Sequence, residues 1–302
     1  MAPKALRIGQ VGCGEWGRLV LRDLVLLGAE VHVVARSDES RARAAEGGAA
    51  AIVARVEDLP DVRGIVVVLP TQLAPEQITI ALARGVPVFT EKPLAADGKT
   101  ARRLADLGGD RLFVMDKWRY QAAIQFMAGV VAGGSMGAPL GLQSRRLGPR
   151  NRRRDVDTTI HLAPHDLAIA VEVLGGLPEP RTAVGHRDAL GVAGMTAVLG
   201  DRPWMTLEVS ARHEVQEREV RLHLEQGSIR LHSNDLEEVG IFSASTGTWR
   251  IERVAGEMPL LAELRCFLAH LDGGPPPRSS AAEGAAAVAV LETLRRMAGL
   301  VD

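Results

Sequence analysis

The sequence predicts an α/β protein of two domains, with a parallel sheet first and a largely antiparallel sheet second. Over residues 1–118, continuously apolar segments such as GIVVVLP alternate with segments of helical spacing. This alternation is typical of parallel strands that are covered on both faces. From about 181 to 254, apolar and polar residues alternate in PWMTLEVSAR and REVRLHLEQGSIRLHSND, which favours an antiparallel sheet with one covered face.

The N-terminal elements follow in a regular order. The strands are LRIGQVG, EVHVVAR, GIVVVLP, VPVFTEK and RLFVMD, and the helices between them are EWGRLVLRDLVLLG, SDESRARAAEGG, PEQITIALARG and KTARRLADLGG. Gly28 and Gly85 are typical helix stops, and Ser37 or Asp38 is the N-cap of the second helix. The pattern changes after Trp118, so we predict domains of residues 1–118 and 119–302.

The C-terminal part opens with the helix YQAAIQFMAGVVAGG. An arginine-rich loop follows APLGLQSRRLG and leads to the helix TTIHLAPHDLAIAVEVLGG. Strands come next, with a hairpin turn at Gln226-Gly227. The helices LLAELRCFLAHLDGG and AAEGAAAVAVLETLRRMAGL close the chain on either side of the Pro275–Pro277 break.

Composition excludes several classes of protein. A net charge of −1 gives no reason to expect nucleic acid or an anionic membrane as partner. The two cysteines, Cys13 and Cys266, make neither a disulfide framework nor a zinc pattern. Apolar runs such as Ile65–Leu69 are too short to span a bilayer, and the N-terminus does not read as a signal peptide. We therefore expect a cytoplasmic protein.

A glycine motif follows the first strand. Gly12, Gly14 and Gly17 form G-x-G-x-x-G with Glu15 and Trp16 inside it, and the motif opens a helix. In this context the glycines permit a tight turn and the close approach of a pyrophosphate, which the helix N-terminus attracts. The motif predicts a dinucleotide site of the Rossmann type; a glycine-rich turn without ligand is the alternative.

The end of the second strand indicates which dinucleotide is bound. NAD sites usually carry an acidic residue there, which bonds the ribose 2′-hydroxyl. Here the strand ends in Arg36 and Ser37, and arginine suits a 2′-phosphate instead. NADP(H) is therefore favoured over NAD(H). In the alternative, Arg36 is solvated and Asp38 or Glu39 binds the ribose.

The motifs together resemble the glucose–fructose oxidoreductase/inositol 2-dehydrogenase (Gfo/Idh/MocA) family. The likeness rests on the glycine motif, VVVLPT, VPVFTEKPLA, a helix carrying His165, and the closing helical segments. It implies oxidation of an alcohol or reduction of a carbonyl, often on a sugar or cyclitol, and a C-terminal α/β domain with an open sheet. The residues it places against the cofactor are Leu69, Pro70, Thr71, Glu91, Lys92 and Arg119. For Arg119, an ion pair that links the domains is the alternative.

Lys92 is one of only four lysines, against thirty-two arginines. The resemblance places it beside the nicotinamide and the substrate, before Pro93, whose peptide bond is a candidate for the cis form. A partly buried lysine can exchange a proton with a substrate oxygen, whereas arginine stays protonated. The alternative is a surface lysine at the end of a strand.

His161 and His165 lie four residues apart, on one face of a predicted helix. The resemblance makes His165 a catalytic residue, and His161 stands where the family usually has Asp. Asp166 is a candidate to orient a substrate hydroxyl. A metal site is not expected, because no third ligand is evident, and two surface histidines remain the alternative.

Six arginines crowd the loop that we predict just before this helix: Arg145, Arg146, Arg150, Arg152, Arg153 and Arg154. They form either a solvated face or an entrance that attracts an anionic substrate, to which Arg145 and Arg146 would bind. Contact with the 2′-phosphate or with a neighbouring subunit is a third option. Nucleic acid is not expected, because no aromatic residue lies within the run.

These observations predict an NADP(H)-dependent oxidoreductase that acts on a hydroxyl or carbonyl carbon of a polar, sugar-like small molecule, a class that includes anionic and nucleotide-linked sugars. Lys92 and His165 would handle the proton, with His161 assisting. The alternatives are an imine or ene reductase and a catalytically silent, cofactor-binding regulator. The resemblance and the alternating sheet also suggest a homodimer or homotetramer that forms through the C-terminal sheet.

Overall fold

A computed structural model describes residues 5–149, 156–232 and 237–301. The chain divides into two compact units. The first contains residues 1–117 and 258–288, and the second contains residues 118–257 and 289–302. The sequence places a boundary near residue 118, but it does not show that a later segment returns to the first unit.

The first unit is built on a parallel sheet, which within the described residues has six strands. Its strands are β1 (Arg7–Val11), β2 (Glu30–Val34), β3 (Ala51–Val53), β4 (Gly64–Val67), β5 (Val88–Glu91) and β6 (Leu112–Met115). The helices that follow them are α1 (Gly17–Leu26), α2 (Asp38–Glu46), α3 (Ala74–Ala83) and α4 (Gly98–Gly108). The strand order is β3-β2-β1-β4-β5-β6. The order reverses between β1 and β4, and sheets of this kind bind ligands beyond the carboxyl ends of their strands at such a point.

The second unit packs helices against a mixed sheet. The helices are α5 (Ala122–Gly133) and α6 (Thr158–Leu174). The strands are β7 (Pro139–Pro149), β8 (Pro180–Asp188), β9 (Gly191–Leu199), β10 (Trp204–Ser210), β11 (Arg212–Leu224), β12 (Gly227–His232), β13 (Glu238–Ser243) and β14 (Thr248–Arg253). Their order is β14-β13-β12-β11-β7-β10-β9-β8. Only the β7–β10 pairing is parallel in the part of the sheet that the structure describes.

Alternation decides which face of this second sheet is buried. Leu142 and Ser144 of β7 share a face with Leu207 of β10 and Val220 of β11, because these residues are paired in register. All four are buried. The antiparallel sheet with one covered face that the sequence predicts is confirmed.

Two further helices close the chain, α7 (Pro259–Leu271) and α8 (Ala281–Met297). The apolar stripe of α7 packs in the core of the first unit, where the ring of Phe267 stacks on Phe89 at 5.0 Å between centroids. Gly64 lies so close to this helix that an added Cβ would meet Leu271 at 2.7 Å. This packing returns residues 258–288 to the first unit.

The arginine-rich segment differs from its prediction. Arg145 and Arg146 lie in β7, and the prediction of a loop at these two positions is wrong. β7 is paired on both sides, with β10 and β11, so its backbone is held as a central strand despite the adjacent charges. Arg150, Arg152, Arg153 and Arg154 lie outside the described residues. None of the described helices is long and apolar enough to cross a membrane.

Candidate functional site

The three glycines of the loop differ in the space around the Cβ atom that another residue would add. Gly12 has φ of 94°, and an added Cβ would lie 2.3 Å from the carbonyl oxygen of Val68. At Gly17 an added Cβ would lie 2.7 Å from the carbonyl oxygen of Gly12, so this glycine lets α1 pack against the loop. Gly14 has no atom within 4 Å of its would-be Cβ. The loop therefore leaves open space where a Rossmann site receives a pyrophosphate.

The N-terminus of α1 is suited to an anion. No side chain caps it, and its first turn carries no acidic residue. The positive end of the helix dipole is thus available to a phosphate, while the N–H groups of Arg18, Leu19 and Val20 donate to carbonyl oxygens of Gly14 and Trp16. Trp16 lies at this end, and its Nε1 atom is buried without a hydrogen-bond partner among the described residues. An open space, an uncapped helix and an orphaned donor all fit a dinucleotide here.

Gln10 fixes the shape of the glycine loop through two hydrogen bonds. It is fully buried at the end of β1, and its Nε2 donates to the carbonyl oxygens of Gly12 and Gly17, both at 2.9 Å. One amide group therefore fixes the first and last glycines of the motif relative to each other. Sequence analysis missed Gln10, although a glutamine in an apolar strand directly before the glycines is a visible signal.

The segment after β2 lies against the same loop. Arg36 and Ser37 are exposed, and Ser37 caps α2 by accepting a hydrogen bond from Ser40 N at 3.2 Å. The hydroxyl of Ser40 in turn accepts one from Cys13 N in the glycine loop, at 3.3 Å. The expected N-cap at Ser37 is confirmed. An exposed arginine therefore stands where the ribose of a dinucleotide would lie.

The carboxylates near this position are partly engaged. Arg43 of α2 pairs with Glu15 at 2.7 Å and with Glu39 at 2.5 Å. Glu15, predicted to contact the cofactor, therefore also joins the glycine loop to α2. Glu39, one of the two alternative ribose ligands, already has a cationic partner, whereas Asp38, the other, is exposed.

The residues after β4 lie next to the glycine loop. An added Cβ at Gly12 would meet the side chain of Leu69 at 2.8 Å. Pro70 is exposed, and its carbonyl oxygen accepts the N–H of Ala74 at 3.1 Å as α3 begins. Thr71 is buried. The segment predicted from VVVLPT therefore borders the same carboxyl edge of the sheet.

The segment TEKPLA, residues 90–95, contains the last two residues of β5 and the turn that follows it at this edge. Lys92 is buried, with 8% exposure, and its backbone N–H donates to Glu91 Oε2 at 2.6 Å. The Lys92–Pro93 peptide bond is cis, as the sequence suggests. Leu94 and Ala95 are each 1% exposed and anchor the turn in the core. The turn therefore holds a lysine largely out of water.

Glu91, at this turn, belongs to a group of interacting acidic residues in the first unit. Glu263 of α7 is 1% exposed, and its Oε2 has no hydrogen-bond partner in the described part of the chain. Burial, and then the charges of Glu91 and Asp116, raise the pKa of Glu263 well above its ordinary value, while Lys117 opposes the shift. Lys117 also lies over the ring of Trp16, at 4.5 Å from its centroid. Glu263 is therefore a buried acid that favours its protonated form.

In the second unit, the histidines occupy one stripe of α6. Asp157 caps this helix by accepting from Thr159 N at 2.9 Å, so the predicted helix is confirmed and runs through Pro164. His161, His165 and Glu172 fall on one side of a helix with 3.6 residues per turn. His161 and His165 are half-buried.

Arg119, which lies just before α5, pairs with a residue of this stripe. It is 8% exposed and pairs with Glu172 at 2.8 Å, and Gln125 donates to the other oxygen of Glu172 at 2.6 Å. The guanidinium of Arg119 is thus engaged within the second unit. A contact between Arg119 and the cofactor stays a prediction.

Asp166 points away from this stripe and into the sheet. It accepts from Ser144 Oγ at 2.6 Å and from both ends of the Arg146 guanidinium at 2.9 and 3.0 Å. Arg146 also lies over the ring of Trp118, at 4.6 Å. This buried network ties α6 to β7. Substrate binding by Arg146 or Asp166 stays a prediction, and it would have to share groups that already hold the fold.

Arg145 faces the other side of the sheet. Its guanidinium pairs with Glu208 at 2.9 Å and with Glu217 at 2.7 Å, and these bonds raise its pKa, Glu208 most. The structure therefore does not bring Arg145 together with Arg146, although the two are adjacent in sequence. In the described ranges, no group of three or more His, Cys, Asp and Glu residues is suited to hold a metal ion.

The parallel sheet, the glycine loop and the uncapped helix define the first unit as a dinucleotide-binding domain of the Rossmann class. A family model described as "Oxidoreductase family, NAD-binding Rossmann fold" (Gfo/Idh/MocA) matches residues 6–111. Over these residues the chain is similar to the Gfo/Idh/MocA family of oxidoreductases.

Three known proteins illustrate the likeness. An inositol 2-dehydrogenase of Ralstonia nicotianae is 35% identical over 156 residues, which are 48% of this chain and 46% of that protein. A UDP-N-acetylglucosamine 3-dehydrogenase of Acidithiobacillus ferrooxidans is 29% identical over 67% of this chain and 63% of its own. The chain thus spans about half to two thirds of these curated relatives. An oxidoreductase of Agrobacterium radiobacter, solved with NAD+, L-tartaric acid and magnesium, shares the fold with a TM-score of 0.87 at 18% identity, covering 98% of this chain and 97% of that one.

Proposed function

We propose that this protein is an NADP(H)-dependent oxidoreductase, which moves a hydride between the nicotinamide and a hydroxyl or carbonyl carbon of a polar, sugar-like small molecule. The observation that carries the proposal is the position of Lys92. This buried lysine lies at the carboxyl edge of the parallel sheet, the edge that also carries the glycine loop. A dinucleotide site and a titratable cation thus belong to one unit.

The residues of the chain would divide the chemistry as follows. A bound nicotinamide supplies or accepts the hydride. Lys92 donates a proton to the carbonyl oxygen during reduction and accepts the hydroxyl proton during oxidation, which arginine could not do. His165, with His161 one turn earlier on α6, assists this proton transfer. Proton transfer by a positioned side chain contributes about 10² to 10⁴ in rate.

The preference for NADP(H) rests on Arg36. Its guanidinium is exposed directly after β2, and the neighbouring acid Glu39 is paired with Arg43. A 2′-phosphate would be bound by Arg36 through charge-assisted hydrogen bonds, with the hydroxyl of Ser37 available as a further donor. NAD(H) lacks this phosphate and would gain nothing from Arg36.

Replacing Arg36 should therefore change the cofactor preference. Arg36→Ala should raise KM for NADPH about 10- to 100-fold, since a hydrogen bond to a charged group is worth about 1.5–3 kcal/mol. KM for NADH should change little. Arg55→Ala, which removes an exposed arginine paired with Asp58 in the same unit, is the matched control. Wild-type enzyme that binds NADH as tightly as NADPH would refute the preference.

Two relatives suggest the substrate class. By their names, one oxidises inositol and the other a nucleotide-linked amino sugar. We therefore propose a sugar, cyclitol or sugar derivative as substrate. The test is transfer of deuteride from 4-deuterated NADPH to a panel of ketosugars and keto-cyclitols, followed by mass spectrometry. Label in no product, with the cofactor bound, would contradict the proposal.

His161 motivates a second candidate. It occupies the place of the usual carboxylate, so the proton chemistry could be adapted to another unsaturated bond. Cyclic imines and enones belong in the same deuteride panel. Label in an imine or ene product alone would favour that reaction over carbonyl reduction.

Assembly through the second-unit sheet is part of the same proposal, as is a cytoplasmic location. The outer face of that sheet carries the exposed apolar side chains of Trp249 and Ile251, which are 51% and 72% exposed. A second copy of the chain could cover them, as a dimer or tetramer. Sedimentation that gives the mass of one 32.3 kDa chain would contradict this.

A further inference from the structure

The buried face of the second-unit sheet ends in two arginines. Arg218, Val220 and Leu222 share a face of β11, because side chains alternate along a strand. Val220 and Leu222 are 3% and 0% exposed. Arg218 lies directly opposite Arg146 of β7 in the antiparallel register. Residues opposed in this way have Cβ atoms about 4.5–5.5 Å apart, so the two cations are immediate neighbours.

Among the described residues, only one of these two arginines has an anionic partner. Both oxygens of Asp166 are engaged by Arg146, and Ser144 adds a third hydrogen bond. Arg218, which is half-buried, makes no hydrogen bond or ion pair within the described residues. In the part of the chain that the structure describes, two guanidinium groups therefore lie near a single carboxylate.

The other arginines of β11 are held differently. Arg212 pairs with Asp188, and Arg221 pairs with Glu219 at 3.0 Å. Burial, and then the charge of Arg146, lower the pKa of Arg218, while Asp166 opposes this effect. An uncompensated charge in such a position costs stability, and groups that are kept at this cost often serve a ligand.

We propose that Arg218, with Arg146 beside it, binds an anionic group of the substrate, either a carboxylate or a phosphate. This inference rests on the proposed function. A planar guanidinium pairs with either anion through two parallel hydrogen bonds. Asp166, which fixes Arg146, directly follows His165 on α6, so the anion site adjoins the proposed proton-handling helix. The shared chemistry is that of a sugar acid or a nucleotide-linked sugar.

The test measures binding without turnover. The enzyme is saturated with NADPH, so that nucleotides cannot occupy the cofactor site, and is titrated calorimetrically with D-gluconate and with UDP. Arg218→Met should weaken the binding of one probe about 10- to 100-fold, since the lost hydrogen bonds are charge-assisted. The affected probe identifies the source of the anion. Arg218→Lys keeps the charge but loses the two parallel hydrogen-bond donors. Its affinity for that probe should therefore lie between those of the wild type and Arg218→Met.

Arg221→Met is the matched control, three residues away on the opposite face of the same strand. It should bind both probes like the wild type, and all variants should retain NADPH affinity. The inference is overturned if the wild type binds neither probe, or if Arg218→Met binds both of them unchanged. Probe binding that depends on Arg218, without hydride transfer to any panel substrate, would contradict the proposed function alone.

Discussion

Lys92, Glu263 and Arg218 each keep an ionisable group largely or partly out of water, and the protein holds each of them differently. Lys92 ends β5 within a turn anchored by Leu94 and Ala95. Glu263 lies among acids, and Arg218 lies beside another arginine. Burial disfavours the charged form of an ionisable group, and fully exposed groups do not experience this effect. At the scale of the residue, positions at which burial disfavours the charged form of a side chain are therefore the candidates for function.

Glu263 predicts a dependence of stability on pH. A carboxyl whose pKa is raised by folding contributes nothing below its ordinary value of 4.5 and lowers stability increasingly above it. Glu263→Gln removes this penalty and keeps the shape of the protonated acid. The difference in free energy of unfolding, variant minus wild type, should therefore grow as pH rises from about 4.5. Urea unfolding across this range measures it.

An exposed acid provides the control for that experiment. Glu46→Gln, which replaces an exposed acid on the surface of α2, controls for the change of charge itself. If the difference in free energy of unfolding between Glu263→Gln and the wild type did not change with pH, Glu263 would be ionised without cost. The buried acid would then need a partner that the described residues do not provide.

At the scale of the element, α6 depends on one acid at its N-terminus. Asp157 caps the helix and pairs with Arg295 of α8 at 2.6 Å, while Arg295 is 8% exposed. Burial disfavours the charged form of Asp157, but hydrogen bonds from Thr159 and Arg295 outweigh it and lower the pKa. The stabilisation is therefore present above the ordinary pKa of 3.8 and is lost as pH falls through the lowered value.

Removing this acid should destabilise the second unit strongly. Asp157→Ala should cost about 3–5 kcal/mol at neutral pH, because it leaves Arg295 buried without its partner. Asp97→Ala removes a cap from α4 that has no such partner, and it should cost only about 1 kcal/mol. Equal costs in denaturant unfolding would show that the ion pair adds nothing to the cap.

Some elements could be predicted from local pattern and others could not. The glycine motif, the cap at Ser37 and the helix that carries His165 depend on residues close together in sequence. The strand at Arg145 and Arg146 was missed, because its pairing with β10 and β11 is a property of the sheet. Arg218 and Glu263 could be placed on buried faces from sequence, Arg218 by the alternation of its strand and Glu263 by the helical spacing of α7. Neither pattern shows which groups surround them.

At the scale of the whole molecule, chain order and architecture diverge. Residues 258–288 follow the antiparallel sheet in sequence but pack in the first unit, where Phe267 stacks on Phe89. The helical spacing of this segment predicts an apolar stripe, yet it cannot specify the surface that covers it. The two sheets, in contrast, could be predicted because their alternation patterns differ.

Lys92 is central to the proposed proton transfer, and one measurement tests this role directly. It is the rate of deuteride transfer from 4-deuterated NADPH to the preferred ketosugar, in the wild type and in Lys92→Met. We expect a loss of about 10²- to 10⁴-fold with unchanged NADPH affinity. Lys99→Met, which removes an exposed lysine seven residues later, should transfer deuteride like the wild type. A Lys92→Met rate within a few-fold of the wild type would contradict the assignment.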